Sequence, residues 1–146
     1  MTTDSNKPGA AFWVIGIIAL LWNAMGVNAY IQQAYKTDSF KEMFADTPEL
    51  LKMALEAPTW YTAVFAIAVF GSTLACILLL MRRKLAITLF FISMVAVLIQ
   101  TINALLITGE LQYYTTFNYI MFIAIPIISI FLYMYSKKAK VNGWLS

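Results

Sequence analysis

Trp22-Asn23-Ala24-Met25-Gly26-Val27-Asn28-Ala29-Tyr30-Ile31-Gln32-Gln33 breaks an otherwise apolar run with two asparagines and two glutamines. No Asp, Glu, Lys or Arg occurs from residue 8 to residue 35, so these amides sit within 28 uncharged residues. A helix needs only about 20 apolar residues to cross a hydrocarbon core roughly 30 Å thick. Amides placed there need partners, because water is scarce. Other parts of the chain have to supply them, so this stretch decides how a bundle closes.

Three more runs qualify as partners. Residues 57–81, 85–109 and 111–136 are free of charge over 25, 25 and 26 residues. The composition agrees: 62% hydrophobic against 12% charged in 146 residues is not the balance of a soluble globule. The expected fold is therefore all-α, a single integral membrane domain over 1–146. It is a four-helix bundle with spans at about 11–35, 58–81, 85–107 and 117–136, and an outer loop at 36–57. Four crossings return both termini to one side. Lys7 followed by an apolar run could also begin a secretory signal peptide. The run is too long for that, however, and Asn23, Asn28 and Gln32 stand where a small-residue cleavage site would be needed.

Charge fixes the orientation. Lys7, Arg82, Arg83, Lys84, Lys137, Lys138 and Lys140 fall on one side with a single acid, Asp4. The opposite side carries Lys36, Lys41 and Lys52 against Asp38, Glu42, Asp46, Glu49, Glu56 and Glu110. The positive-inside rule assigns the basic side, with both termini, to the cytoplasm. These basic residues are few and sit at span ends, so they read as topology determinants and lipid-headgroup contacts, not as a nucleic-acid surface. Membrane lipid is the expected partner. The one cysteine, Cys76, falls inside the second span, where it is expected as a small packing residue with no disulfide available to it.

The outer loop has helical signals of its own. Ser39 can cap a short turn that places Phe40, Met43 and Phe44 on one side. Thr47-Pro48-Glu49 then gives a cap residue, a proline at the first helical position and an acid in the first turn. A short amphipathic helix is expected there, lying flat at the interface as a lid or as a plain connector.

Each span has one face suited to contact. Gly16, Asn23, Gly26 and Tyr30 align in the first; Ala68, Ser72, Ala75 and Cys76 in the second; Ser93, Ala96, Gln100 and Asn103 in the third; Asn118, Ile125, Ser129 and Ser136 in the fourth. Small residues allow close approach and amides bond across helices. With the basic side inside, Asn28, Gln32, Gln100, Asn103 and Asn118 concentrate toward the outer surface, and Asn23 lies near mid-depth. Pro126 frees a backbone carbonyl near Phe122 and is expected to kink the fourth span.

Two explanations of this polar cluster stand side by side. Interhelical amide bonds are a general packing device, each contributing about 0.6 to 2 kcal/mol, and Asn23 bonding to Gln100 is the first expectation. Alternatively, Trp22, Asn23, Asn28, Gln32, Gln100, Asn103 and Asn118 line an outward cavity for a small neutral solute. Catalysis has no footing, since no span holds His, Asp, Glu, Lys or Arg. No metal-ligand spacing, phosphate loop or cofactor motif is present either. Glu56 and Glu110 read as span-end charges, and Tyr113 and Tyr114 as interfacial anchors.

The segments Leu21-Trp22-Asn23-Ala24-Met25-Gly26-Val27-Asn28-Ala29-Tyr30 and Pro58-Thr59-Trp60-Tyr61-Thr62-Ala63-Val64-Phe65-Ala66-Ile67-Ala68-Val69-Phe70-Gly71, with the turn Arg82-Arg83-Lys84, resemble small four-span bacterial inner-membrane proteins commonly labelled sugar transporters. The resemblance covers most of residues 11–107. It implies a bacterial inner-membrane protein and a sugar-like solute, and it assigns no site residue. The alternative is a non-catalytic scaffold or accessory subunit that binds lipid or a larger membrane protein. A thin wall of four spans would call for a homo-oligomer or such a partner.

Overall fold

The computed structural model describes residues 7–146. Asp4, counted above in the charge balance, lies outside the described residues. Every regular element among them is helical. Four helices are long and apolar enough to span: α1 (Ala10–Tyr35), α4 (Thr59–Leu80), α5 (Leu85–Asn103, continued by a π-helical turn to Thr108) and α6 (Thr116–Val141). Two short helices, α2 (Asp38–Met43) and α3 (Pro48–Leu55), form the outer loop. The protein is a multi-pass, all-α membrane four-helix bundle.

The small-residue faces determine the packing. α4 and α5 form the central pair, with α1 laid on α4 and α6 on α5. On α4, Ala68, Ser72, Ala75 and Cys76 are all buried. The Gly71 backbone comes so close to α5 that a Cβ there would stand 2.5 Å from the Ser93 hydroxyl. On α1, Gly16 packs under Leu80, while Tyr30 meets Phe65 and Phe70 edge to face at 5.6 and 5.4 Å. Close backbone approach of this kind replaces the hydrophobic drive that lipid removes.

The four helices converge at the end rich in basic residues, which the charge rule assigns to the cytoplasm. Phe12, Ala75, Cys76, Leu79, Ala86, Phe90, Leu132 and Ala139 form one buried cluster. Phe12 stacks on Tyr135 at 6.4 Å and meets Trp144 edge to face at 5.8 Å. The residues after α6 fold back over this end. Arg82 Nε donates to the Trp144 carbonyl at 2.8 Å, Ser146 N–H donates to the Arg82 carbonyl at 2.8 Å, and Lys84 N–H donates to the Ser146 carbonyl at 3.0 Å. Leu145 is buried beneath that strap.

Several local expectations need correction. The cap of α2 is Thr37, not Ser39: the Thr37 hydroxyl accepts the Phe40 N–H at 3.1 Å, and Ser39 lies inside the helix. Phe40 is buried and pairs with Phe44 at 5.1 Å, whereas Met43 points away and is 68% exposed. The loop thus holds two helices where one was expected. Finally, α6 continues past residue 136 to Val141, so Lys137, Lys138 and Lys140 occupy its last turns, where positive charge suits the helix dipole. Lys137 Nζ lies 5.4 Å from the Tyr133 ring centre.

Candidate functional site

At the outer end the bundle does not close. The α-helical ladder of α5 widens to a π-helical turn over Ala104–Thr108, a feature that often accompanies functional sites. Gly109 then adopts φ +65°, a left-handed conformation that glycine takes without a Cβ penalty. This reversal turns the following 3₁₀ turn, Glu110–Tyr113, back beneath α3. Thr115 caps α6 through the Asn118 N–H and also donates to the Asn118 side-chain oxygen. The Tyr119 hydroxyl donates to the Leu111 carbonyl at 2.7 Å, pinning the turn to α6.

Two adjoining cavities result, each of about 240 Å³. One water needs roughly 10 to 15 Å³ on the same kind of measure, so either has room for several waters or a small solute. The first lies between α5 and α6, with Gln100, Thr101, Phe117, Phe122 and Pro126 on its walls. The second lies beneath the loop helices, between Gln33, Leu50, Met53, Asn103 and Thr108. Tyr61, Glu110, Tyr114 and Asn118 line both, so they form the seam where the two meet. The outer loop, through Phe44, Leu50, Met53 and Ala54, therefore roofs the second cavity.

The Gln100 and Asn103 amides on these walls are not tied up by the protein. Among the described residues, the side chains of Gln100 and Asn103 make no hydrogen bond to any protein group, although Asn103 is only 5% exposed. Polar groups at this depth are costly unless water or a solute completes them. Pro126 adds an acceptor, because its missing N–H leaves the Phe122 carbonyl without its usual helical donor.

Among the described residues, Glu110 is the sole charged one lining either cavity. Burial holds its carboxyl above the ordinary carboxylate range, opposed by the nearby hydroxyls of Tyr114 and Thr108, which favour the charged form. Burial, and then the Glu110 charge beside it, push the Tyr114 hydroxyl upward. Tyr114 also meets Tyr119 and Phe122 edge to face at 5.4 and 5.7 Å, which fixes its ring.

The residues singled out from sequence separate into two groups. Gln100, Asn103 and Asn118 come together on the cavities. Trp22, Asn23, Asn28 and Gln32 line neither: all four ride on α1, which packs against α4, and from that helix Gln33 is the described residue that reaches a cavity wall. Asn28 is exposed, Trp22 is half-buried, and the Gln32 side-chain oxygen is buried without a partner. Asn23 does not reach Gln100. Its amide nitrogen donates to the Ala19 carbonyl at 2.9 Å and to the Cys76 sulfur at 3.3 Å, making it a packing contact between α1 and α4. Arg82, with φ +61°, and Lys84 hold the cytoplasmic strap, while Arg83, Lys138 and Lys140 are exposed at that end.

Sequence reasoning missed Gln33, Tyr61, Thr101, Glu110 and Tyr114 as site residues. The available signal was the dipeptide Gly109-Glu110 in a gap with no other charge, which allows a tight reversal that tucks an acid inward. Compared with protein-family models, curated proteins and solved structures, the chain gives no match.

Proposed function

We propose that this multi-pass membrane protein is a non-enzymatic binding protein of a bacterial inner membrane, which captures a small hydrophilic, sugar-like solute from the outer side. The site is the pair of cavities bounded by α5, α6 and the loop helices. One observation carries this reading: the Gln100 and Asn103 amides face cavities of about 240 Å³ and bond to no protein group among the described residues. Amides that served only to join helices would be paired across the bundle, as Asn23 is with Cys76. The cluster around Phe12, Leu79 and Phe90 closes the other end, which supports reading this conformation as outward-facing. Passage through the membrane would require that cluster to part.

Ligand-induced stabilisation in lipid nanodiscs tests the reading. A bound solute raises the unfolding temperature in a concentration-dependent way. Across a panel of polyols, monosaccharides and small amino compounds, at least one should do so. The shift should vanish in Gln100→Leu combined with Asn118→Leu, and survive in Asn28→Leu. No shift with any compound would remove the support for solute binding and leave the scaffold role as the better account.

A further inference from the structure

The seam between the two cavities has an electrostatic character that the amides alone would not give it. Glu110 stands there with no basic side chain among the described residues of either cavity wall. Its neighbours are Tyr61 from α4, and Thr108 and Tyr114 from the chain on either side of it. α3 contributes only Met53, Ala54 and Leu50 to the cavity, and its charged residues Glu49 and Lys52 are exposed. A partly desolvated carboxylate without a counter-charge is unfavourable, and a positively charged occupant would offset that cost. The same walls carry the rings of Tyr61, Tyr114, Phe117 and Phe122, whose faces attract cations.

Resting on the solute-binding reading above, we propose that this seam is a site for a small organic cation. An ammonium group lies against the Glu110 carboxylate, and its carbon substituents lie against the tyrosine and phenylalanine rings. Hydroxyl groups on the same solute are met by Gln100 and Asn118. A hard metal ion fits less well, since it calls for several oxygen ligands, and these walls offer one carboxylate amid aromatic and aliphatic carbon. Delivery is favoured too. The outer side carries six acids against three lysines, which attracts cations toward the opening. The expectation of a neutral solute rested on amides alone and did not include Glu110.

The test reads the local potential without needing the natural ligand. A cysteine is introduced by Asn118→Cys, with the buried Cys76 left in place and the protein lacking that change as the blank. Reaction rates are then compared for a trimethylammonioethyl and a sulfonatoethyl methanethiosulfonate, alike in size and opposite in charge. The cationic reagent should react faster, and Glu110→Gln should lower the cation-to-anion rate ratio about tenfold. Lowering the pH should reduce the ratio in the same direction when Glu110 is intact, and leave it unchanged in Glu110→Gln. That second measurement holds the proposal to account even if Glu110→Gln does not fold. A ratio indifferent to both the substitution and pH would overturn the cation site while leaving an accessible cavity. Failure of both reagents to react would overturn the cavity reading itself, and this inference with it.

Discussion

The two halves of this bundle are built from the same kinds of helix and do opposite things. In the cytoplasmic half, Phe12, Leu79, Phe90 and Ala139 interlock with almost no exposed surface, and a strap from Trp144 to Ser146 is bonded across the end. In the outer half, α5 loosens into a π-helical turn, the chain reverses at Gly109, and amides face open space. Phe90 and Asn103 lie on the same helix only about 20 Å apart at 1.5 Å per residue. The difference teaches that membrane packing here is concentrated where small residues and rings coincide, which leaves the outer end free to be polar.

If that division is right, substitutions should have effects ordered by depth. The largest belongs to Phe90→Ala. Lipid already solvates helices in the unfolded membrane state, so the transfer contribution is small. The cavity left behind still costs about 2 to 3 kcal/mol. Unfolding in mild detergent should show the loss. Next comes Gly71→Ala, where the added methyl meets the Ser93 hydroxyl: about 2 kcal/mol of overpacking, largely relieved when combined with Ser93→Ala. Ser93→Ala alone should be neutral or slightly stabilising, because its buried hydroxyl has no partner to lose.

Smaller effects sharpen the contrast. Asn23→Leu breaks the bonds to Ala19 and Cys76 and should cost about 1 kcal/mol. Gln100→Leu, which loses no protein hydrogen bond, should stay within about 0.5 kcal/mol of the unchanged protein. Two amides in different spans would then differ because one is packed and the other lines a cavity. The smallest effect is electrostatic. Burial raises the folded-state pKa of Glu110, so its charged form disfavours folding once the pH exceeds the unfolded carboxylate range. Glu110→Gln should therefore be slightly more stable than the unchanged protein at neutral pH. That advantage should disappear as the pH falls through the Glu110 pKa, where both are neutral.

Much of the fold was legible because charge gaps and small residues are strong signals in membranes. The uncharged runs locate the spans, and the faces through Ala68-Ser72-Cys76 and Ser93-Ala96-Asn103 are those that pack. Neighbour identity was not legible. The amide of Asn23 meets a sulfur in α4 because α1 lies on α4, and no periodicity in α1 says which span that will be. The site was half legible: Gln100, Asn103 and Asn118 show themselves as amides in apolar runs. Glu110 did not, because an acid that ends an uncharged run looks like a surface charge. The reversal at Gly109 that turns it inward depends on a single left-handed residue. Thr37 and Ser39 are both good caps, and only the extended backbone at Thr37 decides between them.

The division between a closed cytoplasmic half and an open outer half can be measured along one helix. Single cysteines would be placed in turn at Phe90, Ser93, Val97, Gln100 and Asn103 of α5, in protein reconstituted in lipid, and exposed to a membrane-impermeant maleimide from the acid-rich side. Labelling should be rapid at the Gln100 and Asn103 positions and absent at Phe90 and Ser93. Equal protection at all five positions, or labelling that continues to Phe90, would contradict the account.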